Sequence, residues 1–170
     1  RWNTTYYASV QAIDNSFAGG AFSDEISFSI EPEQATDLSA DYYNASSLML
    51  RWVRGDGDNC IVFAKEGETG AASPVNNTTY YYNAVFGEGS PIDGTDWHCI
   101  YRGAADSVLL TNLDPSKNYV VHVMEYQGEQ GKEFYLTSAD SRNLGVFSAS
   151  IFSGNVNISL EGVYDSDVEW

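Results

Sequence analysis

The sequence predicts an all-β protein, built as an antiparallel sandwich of short strands. Hardly any stretch shows the 3.6-residue apolar period of a helix. Instead, short β-branched and aromatic runs recur about every 8–12 residues, and Gly, Asp, Asn or Pro bounds them. A proline-bearing turn that leads into a tyrosine favours a sandwich over a barrel. The clearest runs are ISFSIEP, LMLRWVRG, NCIVFAKEG, TTYYYNAVFG, WHCIYRG, SVLLTNL, NYVVHVMEY and EFYLTS.

Composition narrows the classes of partner. The 170 residues carry 24 acidic against 8 basic side chains, a net charge of -16. Such a surface repels phosphate backbones and anionic lipid, so we expect no nucleic-acid partner. No apolar run approaches the ~20 residues that span a bilayer, so we expect no membrane insertion. Cations, basic proteins and neutral glycans remain as partners.

Residues 1–30 echo a later part of the chain. The stretch TTYYASVQAIDNSFAGGAFSDEISFSI aligns with KNYVVHVMEYQGEQGKEFYLTSADS. This echo predicts that residues 1–30 are the C-terminal hairpin of a preceding β-sandwich, with residues 31–34 as a linker. A lone hairpin is marginal in water, so it must pack on other chain or on another molecule. The matched pairs are Tyr6 with Tyr119, Ala8 with Val121, Val10 with Val123 and Ala12 with Glu125.

The main domain is predicted over residues 35–142, and its corner lies in TNLDPSKNYVVHVMEY. Leu113 would enter the core, Pro115 would fix φ in the turn, and the Tyr119 hydroxyl would hydrogen-bond the backbone a few residues upstream. Beyond the corner, strand alternation places Val121 on the same face as Tyr119, with His122 on the other.

Trp52 lies on the second predicted strand, on the same face as Leu48 and Leu50. An early-strand Trp followed by Leu-x-Pro-x-x-x-Tyr before the sixth strand resembles a fibronectin type III domain. The resemblance implies a fibronectin type III-like, or Ig-like, antiparallel β-sandwich. Here it would carry an enlarged middle insert and partial flanking β segments.

The insert, over residues 66–102, points to a particular variant. Trp52 to Gly57, VFAKEG and YYNAVFGEG resemble motifs of fibronectin type III-like modules in large secreted proteins of Bacteroidetes-type bacteria. Where that family prefers Asn before Gly, this chain has YRG. The resemblance implies a location outside the cell, secreted or on the cell surface.

The C-terminal stretch VFSASIFSGNVNISLEGVYDSDVEW resembles the entry into an FG-GAP (VCBS-type) propeller repeat. Residues 143–170 are accordingly predicted as the start of a following β unit, after a second linker over residues 139–144. Asp165 and Asp167 are not the acidic calcium loop of that family.

Two cysteines, Cys60 and Cys99, do not form a C-x-x-C pair, which removes a zinc or thioredoxin interpretation. If their strands pair, they could form a disulfide worth roughly 3–4 kcal/mol. The alternative is two buried thiols.

No side-chain combination indicates catalysis. His98 and Cys99 are strand neighbours that point to opposite faces, so a Cys–His dyad is disfavoured. Both His98 and His122 are interpreted as surface or half-buried structural residues. Glu125 falls at the end of the core, where it would accept hydrogen bonds from backbone or a Tyr, and it has no acid/base partner. We therefore expect a protein that is not an enzyme.

The stretch RGDGDN, from Arg54 to Asn59, allows three interpretations. It could be a cell-attachment tripeptide, part of a calcium loop through Asp56 and Asp58, or a solvated turn. A calcium site lacks the further carboxylate that would complete it, so the solvated turn is preferred and no cofactor is expected apart from this weak calcium option.

Tyr80, Tyr81 and Tyr82 would alternate in and out if they form a strand. Outward rings could stack on sugars, whereas inward rings would pack as an aromatic cluster under the insert.

Three functions follow for testing. The first is a non-catalytic extracellular spacer or adhesion module that contacts neighbouring domains of the same polypeptide. The others are a carbohydrate-binding accessory of a secreted hydrolase, and a self-assembling surface or filament subunit that joins through open strand edges.

Overall fold

The computed structural model describes residue 2 and residues 4–150. In this part of the chain every regular element is a β-strand, which confirms the predicted all-β class. In chain order the strands are β1 (Thr5–Ala8), β2 (Gln11–Ile13), β3 (Gly19–Phe22), β4 (Ile26–Ser29), β5 (Thr36–Asn44), β6 (Ser47–Val53), β7 (Asn59–Glu66), β8 (His98–Gly103), β9 (Ser107–Leu110), β10 (Asn118–Gln127), β11 (Phe134–Tyr135) and β12 (Leu144–Ser148).

Two antiparallel sheets form the body of the molecule. The smaller has the order β5-β6-β9. The larger, of five strands, places β7 on one side of β10 and both β11 and β12 on the other, with β8 pairing with β7. Apolar side chains from both sheets meet between them. The architecture is therefore the fibronectin type III-like sandwich that the sequence predicts.

The inter-sheet core follows strand alternation. Alternate residues of β6 and β10 point between the sheets, and the intervening residues of β10 point outward. Together these residues bring the two layers into one buried cluster, in which Trp52 lies beside the ring of Tyr101 with 5.5 Å between centroids. From the two strands the inward set is Leu48, Leu50, Trp52, Tyr119, Val121 and Val123.

Tyr119 closes the corner before β10. Its ring is buried, and its hydroxyl accepts a hydrogen bond from the Asp114 backbone N–H at 2.8 Å. Pro115 lies in a turn that the Lys117 N–H closes by donating to the Asp114 carbonyl at 3.1 Å. Leu113 is buried in the inter-sheet core just before this turn. The corner thereby ties the approach to β10 to the interior of the sandwich.

Replacing Tyr119 with phenylalanine removes the hydroxyl and leaves the Asp114 N–H without its acceptor. We expect the free energy of unfolding to fall by about 1 kcal/mol, because water at the exposed Asp114 replaces part of the lost bond. Chemical denaturation measures this change. The exposed Tyr43 offers a matched Tyr→Phe control, and equal stability of the two variants would contradict the role of the corner.

The long insert between β7 and β8 covers the outer face of the larger sheet. Side chains of the insert and of the sheet form a second apolar cluster there, separate from the inter-sheet core. The insert carries isolated bridges but no strand, so the expected strand at Tyr80–Tyr82 is absent. From the insert come Ala72, Tyr80, Ile92 and Trp97, which pack on Ile61, Phe63, Cys99, Val120, Met124 and Tyr126.

The two cysteines are free thiols, which corrects the Cys60–Cys99 disulfide in favour of its alternative. Cys99 pairs in register with Phe63, three residues from Cys60 along β7. An odd offset points the two side chains to opposite faces of the sheet. Cys60 accordingly lies in the inter-sheet core and Cys99 in the outer cluster. Burial raises the pKa of each thiol to about 12.

The sandwich continues beyond residue 142, where the sequence placed the end of the domain. Residues of β12 pair antiparallel with the first half of β10, from Asn118 with Ser148 to His122 with Leu144. Residues 143–148 therefore complete the larger sheet and do not start another unit. The remainder of the predicted propeller-repeat entry, residues 151–170, lies outside the described residues.

The N-terminal segment folds into paired strands, β1 with β4 and β2 with β3. The rings of Tyr6 and Phe28 stack with 5.6 Å between centroids. No helix among the described residues is long and apolar enough to cross a membrane.

Candidate functional site

Glu125 is a fully buried carboxylate at the end of the inter-sheet core. Arg54 binds it through two hydrogen bonds, Nε to Oε1 at 2.7 Å and Nη2 to Oε2 at 2.8 Å. The Gly55 N–H adds a third, to Oε1 at 2.9 Å. Exposure is 0% for the Glu125 side chain and 20% for that of Arg54. The hydrogen bond to Glu125 is the main reason that the pKa of Arg54 is raised.

Asp56, two residues further, binds the N-terminal segment. Its Oδ1 accepts hydrogen bonds from the Trp2 indole N–H and from the Glu33 backbone N–H, both at 2.9 Å. The Asp56 N–H donates to the Glu33 carbonyl at 3.3 Å, and the Trp2 backbone N–H donates to Gln127 Oε1 at 3.3 Å. Trp2 is buried by these contacts.

Gln34 binds the same end of the sandwich. Its Oε1 accepts the Glu125 backbone N–H at 2.8 Å, and its Nε2 donates to the carbonyls of Leu136 at 2.6 Å and Ser138 at 3.1 Å. We call the set of Trp2, Glu33, Gln34, Arg54, Asp56 and Glu125 the junction. It joins the residues that precede β5 to the body of the sandwich.

Both glycines of RGDGDN are required by close approach. A Cβ on Gly55 would lie 2.1 Å from the Glu33 carbonyl oxygen, and one on Gly57 would lie 2.5 Å from Glu125 Oε2. The loop composition is therefore explained by the junction, because only glycine lets the loop pass so near the linker and the buried carboxylate.

The junction also accounts for the charged residues of the supposed attachment tripeptide. The Arg54 guanidinium is engaged by Glu125, and Oδ1 of the exposed Asp56 carboxylate accepts hydrogen bonds from the N-terminal segment. Asp58 Oδ2 accepts the Gly128 N–H at 3.0 Å. Among residue 2 and residues 4–150, no group of three or more His, Cys, Asp or Glu could hold a metal ion.

A second candidate site is an aromatic groove of about 680 Å³ between the insert and one end of β7, β8 and β10. Tyr81 and Tyr82 stand at its rim and are 74% and 55% exposed, whereas Tyr80 is buried in the outer cluster. The tyrosine run therefore has one inward ring, Tyr80, and two outward rings, Tyr81 and Tyr82. Asn59, Thr79, Arg102, Tyr126 and Glu129 also line the groove.

The polar wall of this groove is built on a second buried carboxylate, Glu133. Its Oε1 accepts hydrogen bonds from Thr79 Oγ1 at 2.5 Å and Arg102 Nη2 at 3.1 Å, and its Oε2 accepts the Gly131 N–H at 2.9 Å. Arg102 Nε donates to the Tyr126 hydroxyl at 2.7 Å. Burial raises the pKa of Glu133, but these hydrogen bonds and the Arg102 charge outweigh it, so the pKa lies below its usual value.

The histidines lie apart. His122 is fully buried, which corrects the surface or half-buried interpretation, and its Nδ1 accepts the Ala72 N–H at 3.2 Å. Burial lowers its pKa to about 4, so the imidazole is neutral at pH 7. His98 is half-buried with Nδ1 3.3 Å from the Gly89 carbonyl. Among the described residues, neither imidazole has a hydrogen bond to a serine, threonine or cysteine side chain.

Sequence reasoning located Glu125 in the core and expected a backbone donor, which Gly55 supplies. It considered Arg54 and Asp56 only within RGDGDN, without their partners, and it did not consider Arg102 and Glu133. The pairing of Arg54 with Glu125 had a signal in the sequence. A lone glutamate that faces the core of a sandwich needs a cationic partner, and Arg54, directly after a buried strand, could supply it. Glu133 begins the predicted strand run EFYLTS, but nothing in that run indicates that its carboxylate is buried.

No protein-family model matches the chain, and comparison with curated proteins gives no match. Among solved structures, a computationally redesigned β-sandwich protein is 12% identical, with a TM-score of 0.43. That alignment covers 69% of this chain and 90% of the redesigned one. A human fourth FNIII domain is 16% identical with a TM-score of 0.39, covering 74% of this chain and 82% of that domain. By its own topology the chain is a fibronectin type III-like β-sandwich module.

Proposed function

We propose that this chain is a non-catalytic, extracellular spacer or adhesion module of a multidomain secreted or cell-surface protein. It holds the preceding unit of the same polypeptide at a fixed angle. The observation that carries this proposal is the junction, in which Asp56 accepts hydrogen bonds from Trp2 and Glu33, and the Gln34 side chain accepts the Glu125 backbone N–H.

The junction is built for stiffness. A linker free to swing would need no specific partners, and its backbone would bind water. Here Asp56 accepts hydrogen bonds from Trp2 and Glu33 of the incoming segment. The Gln34 side chain binds backbone groups of β10 and of the segment that follows β11. The loop that carries Asp56 is itself fixed by the Arg54–Glu125 ion pair. Such a linker transmits orientation between units.

The pairing of the N-terminal strands supports the proposal that residues 1–30 belong to a preceding β-sandwich. The pairing of β1 with β4 and of β2 with β3 repeats the pairing of β10 with β12 and of β10 with β11. Like the body, this segment needs a facing sheet, because many of its large apolar side chains are exposed. These include Tyr7, Val10, Ile13, Phe17, Phe22, Ile26 and Phe28. Residues 1–30 would complete that preceding unit.

The surface charge and the sequence resemblance support a location outside the cell. The net charge of -16 favours solubility and suits a protein exposed to salt, where self-repulsion is screened. The motifs around Trp52 and in the insert resemble modules of large secreted Bacteroidetes-type proteins, and the C-terminal stretch resembles a propeller-repeat entry. Each resemblance favours a chain of serial β-rich units outside the cell.

Replacing Asp56 with alanine should loosen the linker. The substitution removes both hydrogen bonds that Asp56 accepts, from the Trp2 indole N–H and from the Glu33 backbone N–H. The backbone near Glu31 and Glu33 should therefore open more often to a glutamate-specific protease. We expect cleavage there to accelerate several-fold, while the sandwich keeps its melting temperature to within a few degrees. Mass spectrometry of timed digests identifies the cut site and its rate.

The matched control is Asp58→Ala. It removes a carboxylate of the same loop, and this carboxylate binds the Gly128 N–H and not the linker. It should leave the cleavage rate at Glu33 unchanged. Equal cleavage of the Asp56 and Asp58 variants would contradict the junction, and rapid cleavage of the unaltered protein would do the same.

The exposed apolar side chains of residues 1–30 also favour a second candidate, self-assembly through this segment. Light scattering over a range of concentrations separates the two. A spacer module keeps the mass of one chain, whereas self-assembly raises the mass with concentration and should weaken when Phe17 and Ile13 are replaced by serine.

A further inference from the structure

We propose that the groove beside Tyr81 and Tyr82 binds a neutral glycan. This inference goes beyond the spacer role and does not depend on the junction. The groove lies between the insert and the outer face of the larger sheet, and Arg54, Asp56 and Gln34 are not among the residues that line it. Its volume of about 680 Å³ lies within the ~300–1,000 Å³ typical of ligand pockets.

The rim offers flat apolar surfaces. Tyr81 and Tyr82 expose 74% and 55% of their area beside the groove, whereas Tyr80 next to them is buried. The C–H face of a pyranose ring packs against an aromatic face, while its hydroxyls need donors and acceptors at the edges. The groove supplies both kinds of surface.

The rim is held in place before any ligand arrives. The Tyr81 N–H donates to Ser90 Oγ at 3.0 Å, and the Ser90 N–H returns a bond to the Tyr81 carbonyl at 2.8 Å. The Asn83 N–H donates to the Cys99 carbonyl at 3.1 Å. The Tyr82 ring leans on Tyr101, with 5.8 Å between centroids. A fixed backbone lowers the entropy that binding would otherwise lose.

The charges of the groove favour a neutral ligand. Arg102 is already committed, since Glu133 neutralises it and the Tyr126 hydroxyl accepts from it. Glu129 adds an exposed carboxylate to the lining. With a net charge of -16 on the whole chain, an anionic polysaccharide would be repelled. Asn59 and Gln130 add uncharged polar groups to the lining that can bind hydroxyls.

Tyr81 also borders a second, smaller groove of about 450 Å³, which shares Thr79, Tyr80 and Tyr81 with the first and continues toward Ser90 and Asp93. The Tyr81 ring therefore forms a ridge between two adjoining depressions. This arrangement suits a chain of several sugar units that crosses the ridge, and it indicates an oligosaccharide rather than a monosaccharide as the ligand.

Affinity gel electrophoresis of the full chain tests the proposal. The probes are soluble neutral β-glucan, xylan and mannan, with an anionic polygalacturonate as the charged arm. We expect retardation by at least one neutral polysaccharide and none by polygalacturonate. Replacing Tyr81 and Tyr82 together with alanine should weaken the interaction at least tenfold, and Tyr43→Ala, at an exposed tyrosine on β5, should leave it unchanged.

The two rings that the double substitution removes are exposed in the unaltered protein, so we expect the variant to keep its fold. Near-ultraviolet circular dichroism checks this. The proposal is overturned if no neutral polysaccharide retards the protein, if the folded double variant binds as well as the unaltered chain, or if only the anionic probe binds. Binding of a proline-rich peptide to Tyr81 and Tyr82 in the absence of glycan binding would also overturn it.

Discussion

Replacing Arg54 with methionine is expected to lower the free energy of unfolding by about 3 kcal/mol. The substitution keeps most of the apolar stem but removes the charge that faces Glu125, whose side chain is entirely buried. Breaking one partner of a buried ion pair costs about 3–5 kcal/mol, because the remaining charge is uncompensated. Arg54 is partly exposed, so water reaches its side of the pair and the loss falls at the lower end. Urea denaturation monitored by tryptophan fluorescence measures it.

Two further variants separate charge burial from loss of packing. Arg54→Met combined with Glu125→Leu removes both charges, and we expect it to be more stable than Arg54→Met alone, since an apolar pair often replaces a buried ion pair without loss. Arg51→Met breaks the Arg51–Asp41 pair, whose two side chains are 58% and 69% exposed. That control should cost about 0–1 kcal/mol. The interpretation fails if Arg54→Met and Arg51→Met destabilise equally.

Lowering the pH from about 7 to 4 is expected to remove about 3 kcal/mol of stability through His122 alone. Its pKa lies at about 4 in the folded protein, against about 6.5 in the unfolded chain. Between these values the unfolded state binds more protons, so stability falls as the pH falls. The contribution is complete above pH 6.5 and is lost progressively down to pH 4. Burial is the main cause of the lowered pKa, and the hydrogen bonds with the backbone at Ser138 and Ala72 offset only part of it.

The contribution of His122 can be isolated with His122→Gln, in which an amide oxygen can still accept the Ala72 N–H and no proton is taken up. The difference in unfolding free energy between the unaltered chain and this variant should vary with pH between 4 and 6.5 and be flat above that range. Paired carboxylates such as Glu133 titrate in both proteins and cancel. A pH-independent difference would show that His122 does not titrate as described.

The junction and the groove lie at the same end of the larger sheet but on its two faces, because Glu125 and Tyr126 are neighbours on β10. Arg54, Asp56 and Gln34 bind the incoming chain, whereas Tyr81 and Tyr82 face solvent from the insert. Variants at one site should leave the other unaffected, since the sites share no side chain among those that define them. A module that both fixes its neighbour and holds a glycan would place a binding surface at a set orientation within a longer protein.

The sequence by itself determined the elements whose signals are local. The two-residue period of β6 and β10 established which side chains face the core, and Pro115 four residues before Tyr119 established the corner. These features depend on strand alternation and turn geometry, which neighbouring residues impose on one another. The all-β class and the sandwich follow from the same short-range patterns.

Only the tertiary structure decided the contacts between distant segments. Arg54 and Glu125 are 71 positions apart, so their pairing depends on how the sheets align and not on any local motif. The register of β7 with β8 placed Cys60 and Cys99 on opposite faces, and the path of the strandless insert buried Tyr80 while exposing Tyr81. Registers and loop paths are set by the sum of many packing contacts across the molecule, and a linear pattern does not specify that sum.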